Sequence, residues 1–339
     1  MPYYRRHNYN TNNFHQVAPF IFKENNLIVQ PSFYNKIKGT WVESELLKHF
    51  DSITTRDGVL FGKVPETDNI PEDEYDKFFK VYKVFLRWYD ADKWHHVLTR
   101  PSSIVSYDEN ERKILTEICK RMICGGSQSL NAENKDDLKD LITKLDEGIN
   151  KCDLGQGCFI KMSGASTKHD YAPVAIFSGI SALEHLLASH RVFKNLDCYN
   201  IMIQPWRDDI SLKGEFRVFV ENNKVIGVSQ QALYEVYQEC ISIYSIMCKE
   251  IVQMAQDIWD SIKDKLEYTE ATLDVWMDYD NDMHLIEINT YGIWQAAGAS
   301  WFDWESDFPK EDNIKSIEDV EVRFTYPNAY FGIGNRNHF

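Results

Sequence analysis

Apolar and polar positions change period several times along the chain, and each change marks an element. FIFKENNLIVQPSF (20–33) reads as a strand and turn, TWVESELLKHF as a short helix opened by Thr40, and DGVLFGKV as a strand after a turn. PEDEYDKFFKVYKVFLRWYD has apolar residues near helical spacing after a proline and an acidic start, which predicts a helix over Glu72–Trp88. NERKILTEICKRMICGG predicts a helix closed by Gly125-Gly126, and AENKDDLKDLITKLDEGINK another that ends before Cys152. The period then shortens. CFIKM (158–162) is a short apolar strand, and Ile201–Ile203 is a second that breaks at Pro205, because proline cannot continue a central ladder. In EFRVFVENNKVIGVSQQ, Phe216, Val218 and Val220 alternate with Glu215, Arg217 and Phe219. Asn222-Asn223 supply a turn and Val225, Gly227 and Ser229 alternate back, which is the pattern of a hairpin. ISIYSIMCKEIVQMAQDIWDSIKDKLE puts Ile251, Ala255, Ile258, Trp259, Ile262 and Leu266 on one face of an amphipathic helix that packs on a sheet. TLDVWMDYDNDMHLIEIN is a second hairpin, and NAYFGIGNRNHF a closing strand and tail.

Composition bounds the class. With 43% apolar residues in 339, the chain has material for a sizeable core, which excludes a disordered protein. The balance of 37 basic against 52 acidic residues, a net charge of −15, disfavours a duplex-wide phosphate contact surface; nucleic acid is a runner-up partner, confined to a local basic cleft. The aromatic share of 14% suits a protein-binding face as well as an ordinary aromatic-rich core. Seven cysteines, an odd number without a CxxC pair, fit a reducing compartment better than a disulfide framework. Cys119 and Cys124, five apart on one helix, are assigned no metal, and the adjacent His95 and His96 read as ordinary histidines. No apolar run approaches the roughly eighteen residues of a membrane span. MPYYRRHNYNTNNFHQ lacks the apolar core of a signal peptide, so a cytoplasmic protein with a mobile, solvated tail over 1–16 is expected. A composition shift at CDLGQG (152–157) sets the expected boundary between an N-terminal subdomain, 17–150, and a second region, 151–325, followed by a tail, 326–339.

The chemistry lies in the second region. Arg217 sits mid-strand between aromatic and β-branched neighbours, where a guanidinium is costly to bury unless an anion or carboxylate meets it. Its ordinary partner is Glu215, its neighbour-but-one on the same face. Lys161 points away from Ile160 and Met162 on a short strand and seeks an anion. Behind it, Ser163, Gly164, Ala165, Ser166 and Lys168 form either a surface turn or a small-residue loop whose backbone N–H groups can approach phosphate oxygens. Glu287 and Asn289 project from one face of the returning strand of the second hairpin, and Asp274 can face them from its partner. Two carboxylates and an amide oxygen suit Mg²⁺ that keeps phosphate oxygens and water, whereas DYDND reads as a solvated acidic turn. A cation-bearing strand, a small-residue loop, an arginine strand and a carboxylate hairpin are what a nucleoside triphosphate with Mg²⁺ requires.

Four of these segments, IMIQPWRDD, EFRVFVENNKVIGVSQ, LDVWMDYDNDMHLIEIN and SWFDWESD, stand in the order in which they resemble the cell division cycle protein 123 family, whose members have an ATP-grasp fold. The resemblance covers the C-terminal half or more. It implies an α+β or α/β architecture in which two subdomains hold the nucleotide between mainly antiparallel sheets, with ATP and Mg²⁺ as ligands. By resemblance, Lys161, Ser163, Ser166, Lys168 and Arg217 meet the phosphates. Gln204, Pro205 and Trp206 line the adenine, although Trp206 reads equally well as a cover on the edge of the core. Asp274, Glu287 and Asn289 hold the metal. The chain departs from the family in three places. One extra residue separates Lys161 from Ser166, Ser229-Gln230-Gln231-Ala232 stand where the family reads Ser-Gln-Arg-Asp, and Glu287 replaces an aspartate. The family binds the gamma subunit of eukaryotic translation initiation factor 2 and promotes assembly of its heterotrimer. The resemblance therefore implies a nucleotide-dependent assembly factor, or chaperone, with an adenine nucleotide and that subunit as partners. The alternatives are an ATP-grasp ligase that activates a carboxylate as an acyl phosphate, and phosphoryl or nucleotidyl transfer onto protein or RNA.

Overall fold

The computed structural model describes residues 20–23, 26–29, 35, 37–49, 53–55, 83–84, 86–125, 129–167, 174–210, 212–232, 236, 246–291, 300–302, 314 and 316–325. The chain divides into two units, Met1–Trp88 with Trp294–Ala296, and Tyr89–Ile293 with Ala297–Phe339. This division falls ahead of the 150/151 boundary expected from composition. Leu141, Leu145 and Ile149 share one core with Ile160, Ile201 and Ile203, so the helices before that boundary and the strands after it belong together. The CDLGQG stretch is a tight link inside the second unit, where the Asp153 carboxylate accepts the N–H groups of Gly155 and Gly157 at 2.7 and 2.8 Å.

In the first unit, β1 (Phe20–Lys23) and β2 (Asn26–Val29) form an antiparallel hairpin, and β3 (Ile53–Thr55) lies parallel to β2. The connection between β2 and β3 carries α1 (Trp41–His49). Thr40 precedes α1 as expected, with its hydroxyl donating back to the Ile37 carbonyl at 2.6 Å. The strand expected at 57–64 and the 72–82 part of the expected helix lie outside the described residues, as do Lys168, the segment 303–308 and the two tails; residues 83–84 and 86–87 are helical.

Among its described residues the second unit holds two sheets. The first runs β4 (Ser103–Ser106), β6 (Asn200–Pro205), β5 (Cys158–Met162), antiparallel throughout. Pro205 is retained as the last residue of β6, opposite Cys158. β4 stops opposite Ile203, so one edge of β6 is already free of ladder pairing where the proline falls and its missing N–H is not needed. Helices α2 (Ala91–Trp94), α3 (Glu109–Ile123), α4 (Ala132–Asp137), α5 (Lys139–Cys152), α6 (Gly179–Leu187) and α7 (His190–Phe193) complete this half. A reciprocal Asp108–Glu111 capping box opens α3. The single helix expected over 132–151 is two helices, because the fully buried Leu138 leaves helical geometry at φ −105, ψ 16. α5 then lies so close on the sheet that a Cβ on Gly148 would stand 2.6 Å from Ile203 Cδ1.

The second sheet runs β10 (Met283–Asn289), β9 (Ala271–Met277), β7 (Glu215–Glu221), β8 (Lys224–Gln230), β11 (Glu321–Arg323), with only β11 parallel to its neighbour. The β7–β8 hairpin turns on Asn222 and Asn223 at φ 49 and 64, as a two-residue turn of matching twist requires. The expected amphipathic helix is α8 (Cys248–Ile262), packed on β8 and β10 through Ile251, Val252, Ala255, Trp259 and Ile262. No helix among the described residues is long and apolar enough to cross a membrane.

Candidate functional site

The sequence-predicted cations and carboxylates meet where the two sheets of the second unit face each other. Arg217 on β7 lies directly opposite Asp274 on β9 and grips both its oxygens, Nε to Oδ1 at 2.8 Å and Nη2 to Oδ2 at 2.9 Å. The side chains are 12% and 7% exposed, so this is a dry, two-pronged ion pair. The carboxylate it grips with both prongs is Asp274, across the ladder, where sequence proximity points to Glu215. Burial alone would lower the arginine pKa; the charge and hydrogen bonds of Asp274, then Glu287 and Glu215, carry it above its ordinary value. Asn289 joins the pair by donating Nδ2–H to Asp274 Oδ2 at 3.0 Å.

Lys161 comes from the other sheet. It is buried at the end of β5, ion-paired with Glu287 on β10, and its ammonium stands 5.5 Å from the centre of the Trp94 indole.

Glu287 and Asn289 reach this cluster through a bulge. Up to Leu285, opposed residues of β10 and β9 keep one register, which would place Ile286 opposite Asp274 and turn Glu287 to the far face. The register shifts between Leu285 and Glu287, so Ile286 is the extra residue and Glu287 pairs with Asp274. On the near side of the bulge His284 shares the face of Trp276, with the rings stacked 4.7 Å apart; beyond it Glu287 and Asn289 occupy that face.

The predicted adenine-side segment closes β6 with Gln204 and Pro205 and continues into Trp206. Gln204 is buried, accepting a hydrogen bond from Arg100 Nη2 at 3.2 Å on Oε1 and donating Nε2–H to the Met202 sulfur at 3.7 Å. The Trp206 N–H donates to the Gly157 carbonyl at 2.9 Å and its indole N–H to Asp208 at 2.5 Å. Arg207 is bound by both oxygens of Asp209 and lies 4.9 Å over the Trp276 ring.

The predicted phosphate loop is partly anchored. Ser163 is buried and holds α2: its hydroxyl donates to Asp92 Oδ1 at 2.6 Å, and its oxygens accept the N–H groups of Asp92 and Ala91. Ser166 is buried nearby, and Thr167 bonds His185 at 2.9 Å. Sequence pattern does not single out Trp94 and Arg100. Both come from the irregular WHHVLTRPSS segment, which has no period to mark them.

Among the described residues no group of three or more His, Cys, Asp and Glu side chains could hold a metal ion. The candidate set is two carboxylates and an amide, a chemistry that suits a hard divalent cation completed by phosphate oxygens and water. As they stand, the carboxylates are satisfied by Arg217 and Lys161, and Asn289 turns its N–H₂ toward Asp274.

Fold and site define an α+β protein whose two mainly antiparallel sheets bring opposite charges into one buried cluster. The chain shares its fold with Cdc123 from Schizosaccharomyces pombe, at a TM-score of 0.53 and 16% identity, over 71% of this chain and 96% of that one. Residues 182–334 match the D123 family model, in line with the resemblance of the chain's motifs to the cell division cycle protein 123 family. It is 27% identical to a translation initiation factor eIF2 assembly protein of Candida albicans over 125 residues, which is 37% of this chain and 35% of that protein. The corresponding protein of Danio rerio is 27% identical over 111 residues, 32% of this chain and 29% of that protein. The matched stretch thus spans 35% and 29% of the lengths of these curated relatives, well short of either whole protein.

Proposed function

We propose that this chain binds ATP with Mg²⁺ between the two sheets of its second unit and acts in the cytoplasm as a nucleotide-dependent assembly factor for translation initiation factor 2, through the gamma subunit. The observation that carries the nucleotide half is the joining of Lys161–Glu287 and Arg217–Asp274–Asn289 across the two sheets. Buried ion pairs repay their desolvation poorly, so two of them converging in one place fit a ligand site better than a stability device. Lys161 and Arg217 are the cations for the phosphates beyond the first, with Ser163, Ser166 and Lys168 along the same loop. Gln204, Pro205 and Trp206 border the adenine. Asp274, Glu287 and Asn289 would hold Mg²⁺, which when bound supplies charge neutralisation of phosphate oxygens. The assembly half rests on the likeness to the two eIF2 assembly proteins.

Calorimetry with ATP and ADP at millimolar-scale Mg²⁺ tests the first half, and binding is expected for both. Folded protein that gives no signal with either nucleotide would remove the basis of this reading. Co-expression with the gamma subunit and recovery of a complex tests the second; a gamma subunit that never co-purifies, with or without ATP, leaves the nucleotide site without this partner.

A further inference from the structure

We infer that Arg100 is a positioning residue that sets the two halves of the cleft against each other, holding Gln204 on one sheet and the β10 bulge on the other from a single nitrogen. Its Nη2 donates to Gln204 Oε1 on β6 at 3.2 Å and, over a longer 3.5 Å, to the Ile286 carbonyl on β10. The inference rests on the nucleotide reading above, because Gln204 belongs to the proposed base end and Glu287 to the phosphate and metal end.

Ile286 is the residue that the β10–β9 ladder skips, and its carbonyl lies in the disrupted part of that ladder. A polar backbone group in such a place needs a partner from outside the sheet, and the Arg100 guanidinium supplies one. The bulge decides which face Glu287 occupies, so a group that pins Ile286 also pins Glu287 opposite Asp274. Arg100 is itself held by its neighbours in the chain: the position before Pro101 favours extended backbone, and β4 begins soon after, at Ser103.

The charge of Arg100 is an expensive way to hold two oxygens. Both acceptors are uncharged, and its buried Nε has no hydrogen-bond partner. Burial and the nearby Arg207 bring its pKa down to about 10, against a smaller opposing pull from Asp209. It remains protonated at neutral pH, so the donors that bridge the sheets are present under working conditions. A guanidinium on neutral acceptors costs desolvation without the return of an ion pair. What it gains here is geometry: the two N–H groups of one nitrogen, fixed in the guanidinium plane, reach two strands of different sheets, an alignment that a freely rotating lysine ammonium reproduces poorly.

The test separates positioning from direct phosphate contact by using a ligand without phosphate. Adenosine, ADP and ATP are titrated into the wild type, R100A and R100K by calorimetry, with and without Mg²⁺. R100A is expected to weaken adenosine and ADP alike, by about tenfold, the scale of one lost hydrogen bond to a charged group. R100K should restore only part of this, and adding Q204A to R100A should cost adenosine no more than Q204A alone. Wild-type adenosine affinity in R100A, with loss confined to ADP and ATP, overturns the inference and makes Arg100 a phosphate contact. Hydrogen exchange on the ligand-free proteins is read in parallel. Faster exchange in β10 around Ile286 and in β6 around Gln204 together, in R100A or in R100K if R100A does not fold, supports the bridge; unchanged exchange at both overturns it. Wild-type protein that binds none of the three ligands fails the nucleotide reading instead, while the exchange result still decides whether Arg100 holds the two strands.

Discussion

Asp274 carries more of the site than a metal ligand has to. It is gripped by both prongs of Arg217 and receives Asn289, so removing it takes two charge-assisted hydrogen bonds from a guanidinium that is 12% exposed. Asp274→Ala is therefore expected to cost about 3–5 kcal/mol in urea unfolding, the range for breaking one side of a buried pair. Lys161→Ala takes one cation from Glu287, which at 24% exposure is better hydrated, so its cost should fall below that of Asp274→Ala. Lys161→Met combined with Glu287→Gln should recover most of the loss, because it removes both charges and with them the cost of burying either one unpaired; a double variant as unstable as Lys161→Ala would show that packing, not charge, is at stake. The cysteines give a second check at this scale. Burial pushes the Cys158 thiol up to about 12 and Cys198 to about 11, while Cys124 is exposed. Alkylation followed by mass spectrometry at mildly alkaline pH should label Cys124 first among these three, and Cys158 only on unfolding. Rapid native labelling of Cys158 would contradict the burial of β5.

The elements were legible wherever period was local. Alternation over 215–229 and the Asn222-Asn223 turn placed the β7–β8 hairpin, and the 3.6-residue face of α8 was readable from Ile251 to Ile262. The β10 bulge was not legible, because LIEIN carries no glycine or other mark of an extra residue, yet the shared face of Asp274, Glu287 and Asn289 depends on it. Nor was the partner of Arg217: strand alternation gives the face a side chain occupies, whereas its cross-strand neighbour is fixed only by register. The hairpin turn allows a graded prediction. Asn223 combines φ 64 with a side-chain oxygen that accepts the buried Trp259 indole N–H at 3.2 Å. Asn223→Gly keeps the backbone and loses that acceptor, about 1 kcal/mol. Asn223→Ala adds a left-handed-region penalty of roughly 1–2 kcal/mol. Thermal unfolding should rank wild type, Asn223→Gly and Asn223→Ala in falling order; an alanine variant as stable as the glycine variant would mean that the turn relaxes.

At the scale of the whole molecule, the composition shift at CDLGQG marks a short glycine-bearing link between α5 and β5 that is tied down by Asp153. What the sheets of the second unit do together is bring two cations and two carboxylates into mutual neutralisation. On the proposed reading, triphosphate competes for Arg217 and Lys161, and the carboxylates it displaces become available to Mg²⁺, so the two ligands should bind with positive coupling that is equal in both directions. Asp274→Asn and Glu287→Gln remove part of the acceptor for the metal and part of the repulsion felt by phosphate. Each should therefore reduce the gain in ATP affinity that Mg²⁺ gives, while metal-free ATP binds as well as in the wild type or more tightly. Glu287→Asp should keep most of the coupling, since it shortens the side chain without removing its charge. Calorimetric titrations of ATP with and without Mg²⁺ on the three variants measure this directly. Wild-type coupling in both neutralised variants would assign Glu287 to joining the two sheets through Lys161 and Asp274 to pairing Arg217 within one sheet, and any metal to other residues.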